Sequence, residues 1–140
     1  MDYKEISKRT IGHLYQAHNS IRNSGIAPQY IVLAELRVSQ LNGCAYCCRF
    51  HTGELREIGM TPEFIDSIPG FRHSSAFSNK QRLVLEFAEA VSGLEGNIPA
   101  IREALSACFT EKEITELTAS IALMGALNRL RIVLGAPDEF

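Results

Sequence analysis

Cys44, Cys47 and His51 stand three and four residues apart, so on a helix the two sulfurs and the imidazole share one face. Cys-x-x-Cys at the start of a helix is a redox arrangement. The sulfurs can reach bonding distance, and the first lies near the positive end of the helix dipole, whose field favours thiolate over thiol. A histidine one turn after Cys47 can take that sulfur's proton or stabilise its anion as imidazolium. Two activities follow. A thiolate can attack the terminal oxygen of a hydroperoxide, giving a sulfenic acid that condenses with the neighbouring thiol to a disulfide and water. The same pair can instead exchange disulfides with another dithiol, and spacing does not separate the two.

Other readings of these residues are weaker. Zinc held by Cys44, Cys47, Cys48 and His51 would take all its ligands from one helix, whereas tetrahedral closure normally needs a second segment. Covalent haem attachment requires a histidine directly after the second cysteine, where this chain has Cys48. A pair of buried, inert cysteines is the remaining alternative. Neither a metal nor a cofactor is therefore expected. Cys48 points about 100° away from Cys47 and reads as packing, as does Cys108. His13, His18 and His73 are scattered and read as surface or satisfied histidines, Arg37 as a salt-bridged arginine, and Tyr46 as a wall of the pocket. Asn128-Arg129 reads as satisfying backbone or partner-chain groups rather than reacting.

The elements that must position the site are helices. Apolar residues recur at helical spacing and no stretch alternates with period two, which predicts an all-α fold of seven helices in one domain, residues 1–140. The first runs from Tyr3 to Asn23, with Ile6, Ile11, Leu14 and Ile21 as its stripe. A second covers Gln29 to Leu41, and Asn42-Gly43 breaks the chain just before Cys44. The third spans Cys44 to Ile58 and stops at Gly59. Thr61-Pro62 opens a short helix that Pro69-Gly70 breaks. Ser78 with Gln81 and Thr110 with Glu113 have capping-box spacing and open two more helices, with one over Pro99 to Cys108 between them. Gly135 and Pro137 close the last. Its segment Ile121 to Leu127 is apolar all round, which calls for cover on every side, part of it from a partner subunit.

Composition narrows the function. With 46% hydrophobic and 21% charged residues and a net charge of -2, the chain has the make-up of a globular protein and no basic stripe for nucleic acid or a membrane surface. The polar start MDYKEISKRT lacks a signal peptide's apolar run, which predicts a cytoplasmic protein. In a reducing compartment, three cysteines crowded into residues 44–48 point to chemistry rather than to a structural framework.

The run Leu36-Arg37-Val38-Ser39-Gln40-Leu41-Asn42-Gly43-Cys44-Ala45-Tyr46-Cys47, followed by His51-Thr52, resembles the core of the AhpD-like alkylhydroperoxidase / carboxymuconolactone decarboxylase superfamily. The resemblance extends more loosely through Gly59, residues 77–82 and Asn128-Arg129. It implies a helical fold, cytoplasmic homo-oligomers (trimers or hexamers), a hydroperoxide substrate and an external dithiol reductant. By the same resemblance Cys47 is the peroxidatic sulfur, Cys44 the more accessible one that meets the reductant, and His51 the proton relay. Members usually carry a glutamate twelve residues before the first cysteine, and here that position is Val32. Glu35, one turn further on, shares a helix face with it and either supplies the carboxylate or faces solvent. Without a carboxylate on His51, disulfide exchange would describe the protein better than peroxidase turnover. The decarboxylase branch lacks the cysteine pair, which argues against lactone decarboxylation here.

Overall fold

The computed structural model describes residues 1–136. Its elements are α1 (Tyr3–Ile6), α2 (Lys8–Arg22), α3 (Pro28–Asn42), α4 (Ala45–Ile58), α5 (Pro62–Asp66), a 3-10 helix (Ile68–His73), α6 (Asn79–Gly93), α7 (Ile98–Ser106) and α8 (Glu111–Leu134), with no strand among the described residues. The all-α expectation holds.

Local chemistry explains most boundaries. Ser78 and Thr110 each accept from the backbone N–H three residues on, while Gln81 and Glu113 reach back to the cap N–H, completing both predicted capping boxes. Thr61 caps α5, with Pro62 in its first turn, where no N–H is needed. Gly43 and Gly59 end α3 and α4 in the left-handed conformation, at φ 72° and 105°, which an L side chain adopts only with strain.

Two expectations need correcting. The first predicted helix is two, because Ser7 leaves helical geometry (φ -118°, ψ 48°) and caps α1. Ile6 therefore swings into solvent while Ile11 and Ile21 stay buried. Pro69-Gly70 does not end α5, which stops at Asp66. It lies inside the 3-10 helix, Pro69 in the first turn and Gly70 at a kink. Within one chain α8 buries Ile121 and Met124 and leaves Ala122 and Ala126 uncovered, while α3 is enclosed on every side. Pro137 lies outside the described residues.

On α3, Ile31, Val32, Leu33, Ala34, Leu36 and Val38 are all buried, because α4, α6 and α8 pack around it. Val32 thus belongs to the core. α8 buries Ile114, Leu117, Ile121 and Met124 and leaves Ile132 and Val133 exposed. By length and composition it is apolar enough to cross a membrane, with a mean hydropathy of 1.4 over its most apolar window. Its inward face nevertheless carries buried Ser120, Asn128 and Arg131. Two of these make directed contacts to α3: Ser120 donates to Glu35, and Asn128 donates to Ser39 and accepts from Asn42.

Candidate active site

The turn from α3 into α4 sets the cysteines. With Gly43 left-handed, the Cys44 N–H donates back to the Ser39 carbonyl at 3.0 Å. Cys44 then stands as N-cap of α4, its Sγ accepting the Cys47 N–H at 3.4 Å. Sulfur here takes the place usually held by a serine or aspartate oxygen. Cys44 and Cys47 are joined by a disulfide, with their Cα atoms 5.3 Å apart. One turn on, His51 is buried on the same helix.

Because α3 is enclosed, Glu35 has no path to solvent: it is 0% exposed. A buried carboxylate must be hydrogen-bonded, and this one is. Arg22 at the end of α2 donates to both its oxygens, at 2.7 and 3.2 Å, and Ser120 of α8 donates at 3.1 Å. Arg22 also grips Glu54 of α4, at 2.7 and 3.0 Å. Both carboxylates meet His51 at one ring nitrogen: Nδ1 lies 2.7 Å from Glu54 Oε1 and 3.3 Å from Glu35 Oε2. Facing two acceptors, Nδ1 must carry the proton, which leaves Nε2 as the nitrogen for chemistry. His18 Nδ1 approaches Glu35 from the other side at 3.9 Å.

The charges are mutually set. Burial alone would push the Glu54 carboxyl up, but hydrogen bonds from His51 and Arg22 outweigh it and hold the pKa at about 2, against an ordinary 4.5. Burial would lower Arg22, and its bonds to Glu54 and Glu35 more than reverse that, so its pKa is raised. His18 is lowered, chiefly by burial, with Arg22 and His51 adding to the effect against the pull of Glu35 and Glu54. Burial raises the Cys48 thiol.

A cavity of about 360 Å³ opens on this cluster and is lined by both Cys47 and His51. Tyr3, Tyr15, Tyr46, Phe50, Met124 and Leu127 supply apolar walls, and Lys4, His18 and Arg131 bring polar tips. The Arg131 guanidinium stacks 3.8 Å from the Tyr46 ring centroid, and Phe50 meets His51 edge-on.

Glu35, His51 and Glu54 offer ligand atoms within 4.8 Å of one another, close enough to hold a metal ion. The position already has its cation. Arg22 occupies carboxylate lone pairs with four hydrogen bonds, and a metal would have to displace it. The zinc set considered from sequence does not converge, because Cys48 lies apart in a surface hollow with Arg49, Thr52 and Arg56.

Of the sequence candidates, Cys44, Cys47, His51 and Glu35 all meet here, with Glu35 facing inward. Accessibility runs opposite to what the resemblance implied: Cys44 is 1% exposed and absent from the cavity wall, whereas Cys47 is 8% exposed and forms part of it. Cys48 and Cys108 pack partly buried against the core. Arg37 pairs with Glu89, at 3.6 Å, and Tyr46 walls the cavity as expected. Sequence reasoning missed three residues. Glu54 was findable, three residues after His51 on the same face. Arg22 and His18 come from α2 and carry no spacing signal.

The profile of the carboxymuconolactone decarboxylase family matches residues 8–90, spanning α2 to α6 and the whole thiol cluster. The chain belongs to this family. Among relatives, it is 24% identical to the uncharacterized protein YdfG of Bacillus subtilis (strain 168) over 137 residues, covering 96% of this chain and 93% of YdfG. It is 29% identical to the uncharacterized protein YnjA of Escherichia coli (strain K12) over 119 residues, 84% of this chain, and that match spans 65% of YnjA's length. A crystal structure from Agrobacterium tumefaciens, described as a protein of unknown function and a candidate antioxidant defence protein AhpD, superposes with a TM-score of 0.92 at 27% identity. The match covers 100% of this chain and 97% of that one. As a carboxymuconolactone decarboxylase family member, the chain thus has the AhpD-like helical fold.

Proposed function

We propose that this protein is a thiol-dependent peroxidase that reduces hydroperoxides through a Cys44–Cys47 dithiol/disulfide cycle, acting in the cytoplasm as a single-domain subunit of a homo-oligomer. The observation that carries this reading is the placement of Cys47 and His51 in one cavity, with Cys44 in disulfide reach and two carboxylates behind the imidazole.

The cycle balances with these residues and an external dithiol. His51 Nε2 takes the Cys47 proton, and the thiolate attacks the terminal peroxide oxygen. The O–O bond breaks, the alkoxide takes the proton from His51, and Cys47 is left as sulfenic acid. Cys44 thiolate attacks Cys47 Sγ, hydroxide leaves and is protonated to water, and the disulfide forms. Two electrons from a dithiol then restore both thiols. Glu35 and Glu54 steady the imidazolium between these steps. The apolar, aromatic walls leave room for an organic group on the peroxide. A second copy covers the exposed end of α8 around Ile132 and Val133.

The test is the rate of thiol loss when stoichiometric cumene hydroperoxide meets the reduced protein. Rapid conversion to the Cys44–Cys47 disulfide, abolished in Cys47→Ser and slowed in Glu35→Gln, is the expected result. Oxidation no faster than that of a free thiol would sink the peroxidase reading in favour of disulfide exchange.

A further inference from the structure

Cys47 lines the cavity, and Cys44, 1% exposed, does not. Thiol–disulfide exchange requires a thiolate to approach along the S–S axis, so the sulfur within reach is the one attacked. We propose that the reductant, a dithiol, enters the same cavity as the oxidant and attacks Cys47 Sγ, expelling Cys44 as the leaving thiolate. This rests on the pair being redox-cycled, and does not require the oxidant to be a peroxide.

A second feature favours the same direction. The sulfur released is the N-cap of α4, a helix of 14 residues, and it already accepts the Cys47 N–H at 3.4 Å. Negative charge arriving on Cys44 meets that N–H and the positive end of the helix, and a stabilised thiolate leaves faster. Attack on Cys44 would instead need its burial undone, and would place the departing charge on Cys47. The electrons balance: the reductant's first sulfur bonds Cys47 Sγ as the Cys44–Cys47 bond breaks, with the electron pair going to Cys44. The reductant's second thiolate then attacks the reductant's own first sulfur, closing its disulfide and releasing Cys47 to be protonated. Cys47 is thus the point of entry in both halves of the cycle, while Cys44 never meets an external partner.

Glutathione, a monothiol that halts the exchange at the mixed disulfide, tests this in the wild-type chain. The oxidised protein is treated with excess glutathione, quenched with N-ethylmaleimide, and the Cys44/Cys47/Cys48 peptide is sequenced by mass spectrometry. The expected result is glutathione on Cys47 and maleimide on Cys44, by roughly tenfold or more over the reverse. A second arm compares glutathione disulfide with the two single variants, where Cys44→Ser should be modified at Cys47 roughly tenfold faster than Cys47→Ser is at Cys44. An adduct mainly on Cys44 or Cys48, equal labelling of the pair, or no adduct at all would overturn the proposal. Because no peroxide is present, loss of the peroxidase reading in its own assay leaves this outcome unchanged.

Discussion

Replacing Arg22 by methionine keeps much of its length and removes the cation that joins Glu35 to Glu54. The wild-type guanidinium makes four hydrogen bonds to two carboxylates, one of them 1% exposed. Breaking a buried ion pair by deleting one partner costs about 3–5 kcal/mol. The Glu54 carboxyl bounds the part of this that titrates. Glu54 sits at about 2 against an ordinary 4.5, held there by His51 and Arg22 together, and at about 1.4 kcal/mol per pH unit this is about 3 kcal/mol of stability shared between the two partners. Its sign is that of a depressed carboxylate: the contribution is present in full above about 4.5 and is lost as pH falls through about 2. Arg22→Met should therefore lose about 3 kcal/mol in urea unfolding at pH 7, or roughly 10 °C in Tm for a chain of this size. At pH 3, where part of the Arg22 share of the Glu54 contribution is already lost, the gap to wild type should narrow. Arg22→Lys, which keeps the charge but not the planar fork, should fall between the two. A loss under about 1 kcal/mol at pH 7, or the same gap at both pH values, would refute the account of Arg22 as the clamp on this pair.

Further outcomes follow from individual contacts. Asn128 is fully buried and bridges Ser39 and Asn42, so Asn128→Ala should destabilise by about 1–3 kcal/mol in urea, whereas Arg129→Ala, on the exposed side, should be near neutral. Gly43→Ala forces a side chain into φ 72° and should cost about 1 kcal/mol in the same assay. If Cys44 is the resolving sulfur, Cys44→Ser treated with cumene hydroperoxide should accumulate a dimedone-reactive sulfenic acid on Cys47, and wild type should not.

What the sequence made legible follows the range of the forces involved. The capping boxes at Ser78 and Thr110, the glycine stops at Gly43 and Gly59, and the Cys44, Cys47, His51 face are decided within one or two helical turns, so spacing alone located them. Glu35 was ambiguous because its inward direction depends on α3 being enclosed by α4, α6 and α8, a tertiary fact. Arg22 and His18 reach the site from α2 across sequence separations that no local pattern encodes. The break at Ser7 was missed for a different reason. Residues on either side of it have acceptable helix propensity, and the interruption is read only from the backbone.

That a sulfur serves as the cap of α4 makes this helix a reporter of its own oxidation state. In the disulfide, Cys44 Sγ is a neutral and poor acceptor. As thiolate it is a charged one, held by the same N–H and the same helix end. Linkage runs both ways: the helix that stabilises the thiolate is in turn steadied by it. By loop-closure entropy a bridge over so short a loop still contributes about 2 kcal/mol, against about 0.3–1 kcal/mol for a charge at a helix end. Reduction should therefore tighten the first turn of α4 locally, giving back at the helix end part of the stability that opening the bridge loses, so that amide exchange at this turn reads the redox state of the pair.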